Sequence, residues 1–142
     1  MSTLPKPADV IPHRPPFLFL DEITALEPGR AATGLWHLSG DEWFFPGHFP
    51  GRPTLPGVLM CEAIAQLGGV AVLGADGYEG KLALFGGIDK ARFRRQVVPG
   101  DTLTIEIEMG QMSARAGKGQ GRASVDGELA CSCSLMFVLV DQ

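Results

Sequence analysis

The chain has 142 residues and a formal net charge of −4, which fits one domain and excludes a broad electrostatic grip on nucleic acid. Apolar residues make up 45% and charged residues 20%, the balance of a globular domain that buries about 68–70% of its unfolded surface without staples. Three cysteines, with no CxxC pair, exclude a disulfide framework and a zinc site, and free thiols point to a reducing compartment, the cytoplasm.

Residues 1–16, "MSTLPKPADVIPHRPP", are proline-rich and carry no apolar signal core. They read as extended, with one short helical turn near Asp9–Pro12. "FLFLDEITAL" and "AATGLWHL" are strand-like runs joined by "EPGR", a turn signal. "SGDEWFF" reads as a short helix capped by Ser39 or Asp41. Residues 44–56 hold too much proline and glycine for regular structure and form a loop.

A helix is predicted from Pro56 to Leu73, ending near Gly74, with Thr54 as N-cap and Pro56 at its first position. It is apolar almost all the way round, so it is buried on every side. At 1.5 Å per residue it reaches about 25 Å, short of a hydrocarbon core of roughly 30 Å. A core helix, not a membrane span, is expected.

Beyond it the period changes. "KLALFGGIDKARF" is a strand bent at Gly86–Gly87, and "VVPGD" is a turn. "TLTIEIEM" puts Leu103, Ile105, Ile107 and Met109 on one face. "RAGKGQG" reads as a loop; "RASV" and "LACSCSLMFVLV" are strands joined by Asp126-Gly127, a hairpin signal. Cys131 and Cys133 lie two apart on that strand and point the same way. Five or six strands with short connections make a largely antiparallel sheet. Curled around one helix, such a sheet explains why that helix is apolar throughout. No repeat or linker divides the chain, so residues 1–142 form one domain of α+β class.

Two polar residues interrupt the apolar helix. Glu62 and Gln66 are spaced i, i+4 and share one face. An ionised carboxylate is costly to bury alone, and in an apolar site such a group keeps its proton and serves as a general acid. Glu62 therefore reads either as a functional acid or as a structural carboxyl tied to an arginine. Gln66 is placed to hydrogen-bond Glu62 or a substrate. His48 stands in the loop just before the helix, as a base near physiological pH or as a packed loop histidine. Gly57 lies at the helix start, where backbone N–H groups lack intrahelical partners; it either admits a carbonyl oxygen or permits tight packing. His13 reads as a fold residue and His37 as an exposed strand end. The three histidines lack metal-ligand spacing, so no metal is inferred.

"PHRPPFLFLD", "FFPGHFPGRPTLPGVLMCEAIAQ" and "GIDKARFRRQVVPGDTL" closely resemble the 3-hydroxyacyl-[acyl-carrier-protein] dehydratases of the FabZ type, across about residues 10 to 138. The resemblance implies the hot-dog fold, an antiparallel sheet wrapped around one long central helix. It implies a homodimer, usually built into a trimer of dimers, with shared active sites. It assigns His48 as catalytic base and Glu62 as acid, the His from one subunit and the Glu from its partner. It gives the Gly57 N–H the thioester carbonyl, and Phe49 and Gln66 join Gly57 in substrate binding. No cofactor is implied.

The implied reaction is dehydration of a (3R)-3-hydroxyacyl chain, held on the phosphopantetheine arm of acyl carrier protein, to a trans-2-enoyl thioester in fatty acid biosynthesis. Lys90, Arg92, Arg94 and Arg95 form a basic cluster suited to an acidic carrier protein, or a solvated strand end. Glu22, where many relatives carry Arg, and "LALFGG", where many carry a tyrosine, depart from the family pattern. Alternatives are an acyl-thioesterase, a polyketide-pathway dehydratase and a non-catalytic acyl-binding subunit. The dehydratase-isomerase branch typically has Asp at the position of Glu62.

Overall fold

The computed structural model describes residues 4–78 and 80–142. A short helix α1 (Pro7–Val10) leads into the strands β1 (Glu22–Glu27) and β2 (Ala31–His37). The long helix α2 (Gly57–Leu73) follows. Four strands complete the chain: β3 (Lys81–Phe93), β4 (Thr102–Met112), β5 (Ala116–Val125) and β6 (Glu128–Asp141). They form one sheet in the order β1-β2-β4-β5-β6-β3, and every neighbouring pair is antiparallel.

The sheet wraps α2. Beyond its first turn, every residue of α2 except Glu62 is buried. Strand alternation supplies the other half of the core. Leu103, Ile105, Ile107 and Met109 of β4 face inward as the period predicts, as do Leu135, Phe137 and Leu139 of β6. Each such side chain contributes about 1.5–3 kcal/mol of burial. Among the described residues no helix is long and apolar enough to cross a membrane.

The Asp126-Gly127 hairpin forms as expected, with φ of 51° and 81°, the left-handed pair of a type I′ turn. The register of β3 against β6 slips between Phe85 and Gly87, where a bend was expected, and again between Asp89 and Arg92.

Four expectations fail locally. The expected loop "RAGKGQG" is the first half of β5. Its glycines alternate inward because neighbours occupy the space of a side chain: a β-carbon on Gly121 would overlap Ile64 of α2, and one on Gly119 would meet Met109 Sδ at 2.7 Å. "SGDEWFF" forms turns, not a helix, because the Glu42 carboxylate turns back to accept from the backbone of Ser39 and Gly40, at 3.0 and 2.8 Å. "FLFLDEITAL" enters the ladder only at Glu22; residues 17–19 hang from α2 instead. The short N-terminal helix forms at Pro7–Val10, two residues earlier than expected.

Cys131 and Cys133 both point into the core, as their spacing requires. Cys61 of α2 joins them, with its Sγ 3.9 Å from that of Cys131. A hydrogen bond to Cys61 and burial push the Cys131 and Cys133 thiols up from the usual range.

Candidate active site

The loop before α2 is cross-linked by its own backbone. The N–H of His48 donates to Phe45 O, Thr54 N–H donates to His48 O, and Phe49 and Arg52 exchange bonds at 3.0 and 2.8 Å. The N–H of Leu55 then donates to Val97 O at 2.8 Å, which fastens the loop to the sheet side. Proline and glycine permit this path; the bonds hold it.

Within this frame His48 is half-buried and its Nδ1 lies 2.8 Å from Thr54 O. A carbonyl only accepts, so Nδ1 carries the hydrogen. In the neutral ring Nε2 is then the unprotonated nitrogen, free to take a proton. The half-exposed Phe49 ring stacks on the imidazole, centroids 4.0 Å apart, and fixes its plane. His48 thus has the tautomer and the rigidity of a base.

Thr54 does not cap the helix. Pro56 occupies the N-cap position, no side chain caps the first turn, and the Thr54 hydroxyl accepts from Gln96 Nε2 at 2.6 Å. The first-turn amide at Gly57 is left without a side-chain acceptor. Gly57 is also needed for packing: a β-carbon there would stand 2.7 Å from the Phe93 ring.

Glu62 projects from α2 into a cavity of about 290 Å³, walled by apolar residues that include Ile11, Leu73, Phe85 and Phe137. Its side chain is 22% exposed. Its neighbours are Gln66, which donates from Nε2 to Glu62 Oε2 at 3.0 Å, and His13, whose Nε2 lies 3.7 Å from the same oxygen. Among the described residues no arginine pairs with it.

The orientation of Gln66 is dictated, not free. Its Oε1 accepts the Phe19 N–H at 2.8 Å, and a backbone N–H only donates. Its Nε2 must then be the donor end, and it gives its two hydrogens to Phe17 O, at 3.1 Å, and to Glu62. Gln66 is 1% exposed and both of its amide hydrogens are used. Hence Glu62 Oε2 is an acceptor.

Within one chain His48 and Glu62 do not meet. The cavity that holds Glu62 does not include His48, and among the described residues no hydrogen bond or ion pair joins them. A larger hollow of about 740 Å³ on the sheet, among Asp89, Glu108, Lys118 and Met136, contains neither residue. Volume therefore does not mark the site; chemistry does. In the basic cluster, Lys90, Arg92 and Arg94 are exposed. Arg95 is engaged with Glu128 at 3.4 Å and Asp101 at 3.8 Å. His37 is exposed at the end of β2, as expected, and contacts Glu22 at 3.6 Å. Sequence reasoning missed His13 as a neighbour of Glu62: 49 positions separate them, and no local spacing announces the contact.

One long apolar helix inside one antiparallel sheet, with a carboxyl in an apolar cavity beside it, defines the hot-dog class. A family model described as FabA-like domain matches residues 11–134. The 3-hydroxyacyl-[acyl-carrier-protein] dehydratase FabZ of Staphylococcus epidermidis is 53% identical over 132 residues, covering 93% of this chain and 91% of that one. The enzyme of the same name from Staphylococcus aureus is 52% identical over 132 residues, covering 93% and 90%. The chain belongs to the FabA-like family, on its FabZ dehydratase branch. Among solved structures, the dehydratase heterocomplex ApeI:P from Xenorhabdus doucetiae matches with a TM-score of 0.83 at 18% identity, covering 99% of this chain and 94% of that chain, a likeness of fold alone.

Proposed function

We propose that this protein dehydrates 3-hydroxyacyl thioesters carried on acyl carrier protein, as the activity of its relatives suggests. The observation that carries the assignment is Glu62 in an apolar cavity, with one oxygen bonded by a backbone-locked Gln66. The acyl chain occupies that cavity. The Gly57 N–H receives the thioester carbonyl, a contact worth on the order of 3–4 kcal/mol in other oxyanion sites. His48 Nε2 removes a proton from C2. The electron pair forms the C2–C3 double bond, and the C3 hydroxyl leaves as water with the proton from Glu62 Oε1. The acid–base pair accounts for about 10²–10⁴-fold of the rate, and orientation supplies much of the remainder.

Because the two residues do not meet within one chain, the reading includes a homodimer in which Glu62 faces the partner subunit's His48. The edge strand β3 supports this, since Leu84, Phe85, Ile88 and Phe93 are 38–51% exposed along a free sheet margin. Assembly of such dimers into a hexamer belongs to the same reading. Lys90, Arg92 and Arg94, all exposed, receive the acidic carrier protein. The cytoplasm is the proposed location, in keeping with three free cysteines. Phe49 orients the base, and fatty acid synthesis is the proposed use.

The test is the assay of purified enzyme on a 3-hydroxyacyl carrier substrate, with enoyl formation and thiol release followed separately. Wild type forms the enoyl thioester; His48→Ala and Glu62→Gln each lose roughly 10²-fold or more, the scale of acid–base catalysis. Thiol release in place of enoyl formation makes the protein a thioesterase, and full activity in either variant removes that residue from its role.

A further inference from the structure

Among the described residues, His13 is the one polar neighbour of Glu62 that the proposed reaction does not use. It follows α1 and lines the same cavity as Glu62. Its Nε2 lies 3.7 Å from Glu62 Oε2, its Nδ1 is buried without a hydrogen-bond partner among the described residues, and its side chain is 28% exposed. The charged groups that face it are few. Glu62 comes from α2; Arg14, next along the chain, turns its guanidinium back to the carbonyls of Ile11 and His13 at 3.0 and 2.7 Å. Residues 82–85 of β3 and Phe137 of β6, which complete the wall, are apolar.

These placements fix the state of the ring. Burial, chiefly, lowers its pKa from 6.5; Arg14 lowers it further, and the Glu62 carboxylate opposes both. At neutral pH the ring is uncharged and holds one hydrogen. On Nδ1 that hydrogen would be a buried donor with no acceptor, which is costly. On Nε2 it points at Glu62 Oε2. The separation of 3.7 Å exceeds a hydrogen bond, but contacts of this kind tighten when substrate closes a site.

We propose that His13 is a positioning residue for Glu62: its Nε2–H and Gln66 Nε2 converge on Oε2, which confines the transferable proton to Oε1 and holds the carboxylate left after transfer. The two histidines then work as opposite tautomers, His48 with hydrogen on Nδ1 and His13 with hydrogen on Nε2. The inference rests on the reading of Glu62 as the acid.

The test compares His13→Leu and His13→Gln with wild type, His48→Ala and Glu62→Gln, on the 3-hydroxyacyl carrier substrate across about pH 5 to 9, where imidazoles titrate. His13→Leu is expected to lower kcat roughly tenfold, the scale of one hydrogen bond to a charged group. KM stays close to wild type, and the alkaline limb of the kcat profile, which the acid Glu62 sets, moves. His13→Gln, whose amide nitrogen reaches the Nε2 position, recovers most of the rate. Independently of activity, 15N NMR at neutral pH finds the His13 hydrogen on Nε2 in wild type, and that Nε2 signal moves in Glu62→Leu, which removes the acceptor. That measurement decides the matter should His13→Leu fail to fold. A wild-type kcat profile in His13→Leu, or a His13 hydrogen found on Nδ1 in wild type, overturns the proposal. Full activity in both His48→Ala and Glu62→Gln overturns instead the dehydratase reading beneath it.

Discussion

Gln66 holds Glu62 from below: Gln66 Nε2 donates to Glu62 Oε2 at 3.0 Å while Gln66 Oε1 takes the Phe19 N–H at 2.8 Å. One amide thus couples the orientation of the carboxyl to the path of the backbone before β1. Gln66→Leu keeps the volume and removes all three bonds. It leaves the buried Phe19 N–H unpaired, while the carbonyl of Phe17, an exposed residue, turns to water. The expected loss is roughly 1–3 kcal/mol, from one unsatisfied buried group. Chemical denaturation reads the stability, and kcat should fall with it because Glu62 is released to rotate.

A second prediction concerns acid. The folded state holds the His13 pKa below its ordinary 6.5, chiefly through burial. Between the lowered value and 6.5 the unfolded chain binds more protons, so the native state loses stability as pH falls through that window. Above 6.5 the contribution is complete. Melting temperature should therefore drop more steeply below about pH 6.5 in wild type than in His13→Gln, which lacks this titration. Parallel curves for the two proteins would refute it.

The inward glycines of β5 predict a third outcome. A methyl group on Gly121 has to displace Ile64, and the Glu106 carbonyl lies 3.0 Å from the same point. Neither neighbour moves freely: Ile64 is fully buried on α2, and Glu106 is paired within β4. Gly121→Ala should cost about 1–3 kcal/mol, the usual range for overpacking. Gly127→Ala leaves open space around its β-carbon, so its cost is confined to the left-handed φ of 81°, about 1–2 kcal/mol. Denaturation midpoints of the two variants separate packing from backbone conformation.

The fourth concerns assembly. Ile88 is 47% exposed on the margin strand β3. Ile88→Lys would bury an unpaired ammonium in a β3-mediated dimer, a penalty of about 3–5 kcal/mol, hence a dissociation constant weaker by roughly a hundredfold or more. Light scattering should show a monomer at concentrations where wild type is dimeric. Dehydration should be lost together with the dimer, although Ile88 touches neither His48 nor Glu62. A monomer with full activity would end the shared-site reading.

Much of the architecture was legible because its signals are local. The apolar run of α2, the alternation in β4 and the Asp126-Gly127 turn each carry their own period or backbone requirement. His48 and Glu62 stand out as candidates in the sequence, since a histidine in a proline- and glycine-rich loop and a carboxyl in an apolar helix are conspicuous against their surroundings. "SGDEWFF" was turned locally by Glu42; the misreadings below share another cause, which is tertiary contact. Glycine in "RAGKGQG" was read as freedom, whereas in β5 it answers the close approach of Ile64 and Met109. The strand over residues 17–21 was refused its ladder by a glutamine nearly fifty positions away. His13 looked like a scaffold residue because only the folded chain brings it to Glu62. Thr54 looked like a helix cap, but Gln96 claims its hydroxyl.

The tether at residues 17–19 also has a mechanical side. That segment hangs from the helix through Gln66, while β1, a few residues on, is the outermost strand on its side. Loss of β1 from the ladder would therefore leave in place the bonds through which Gln66 holds both this segment and the Glu62 carboxylate.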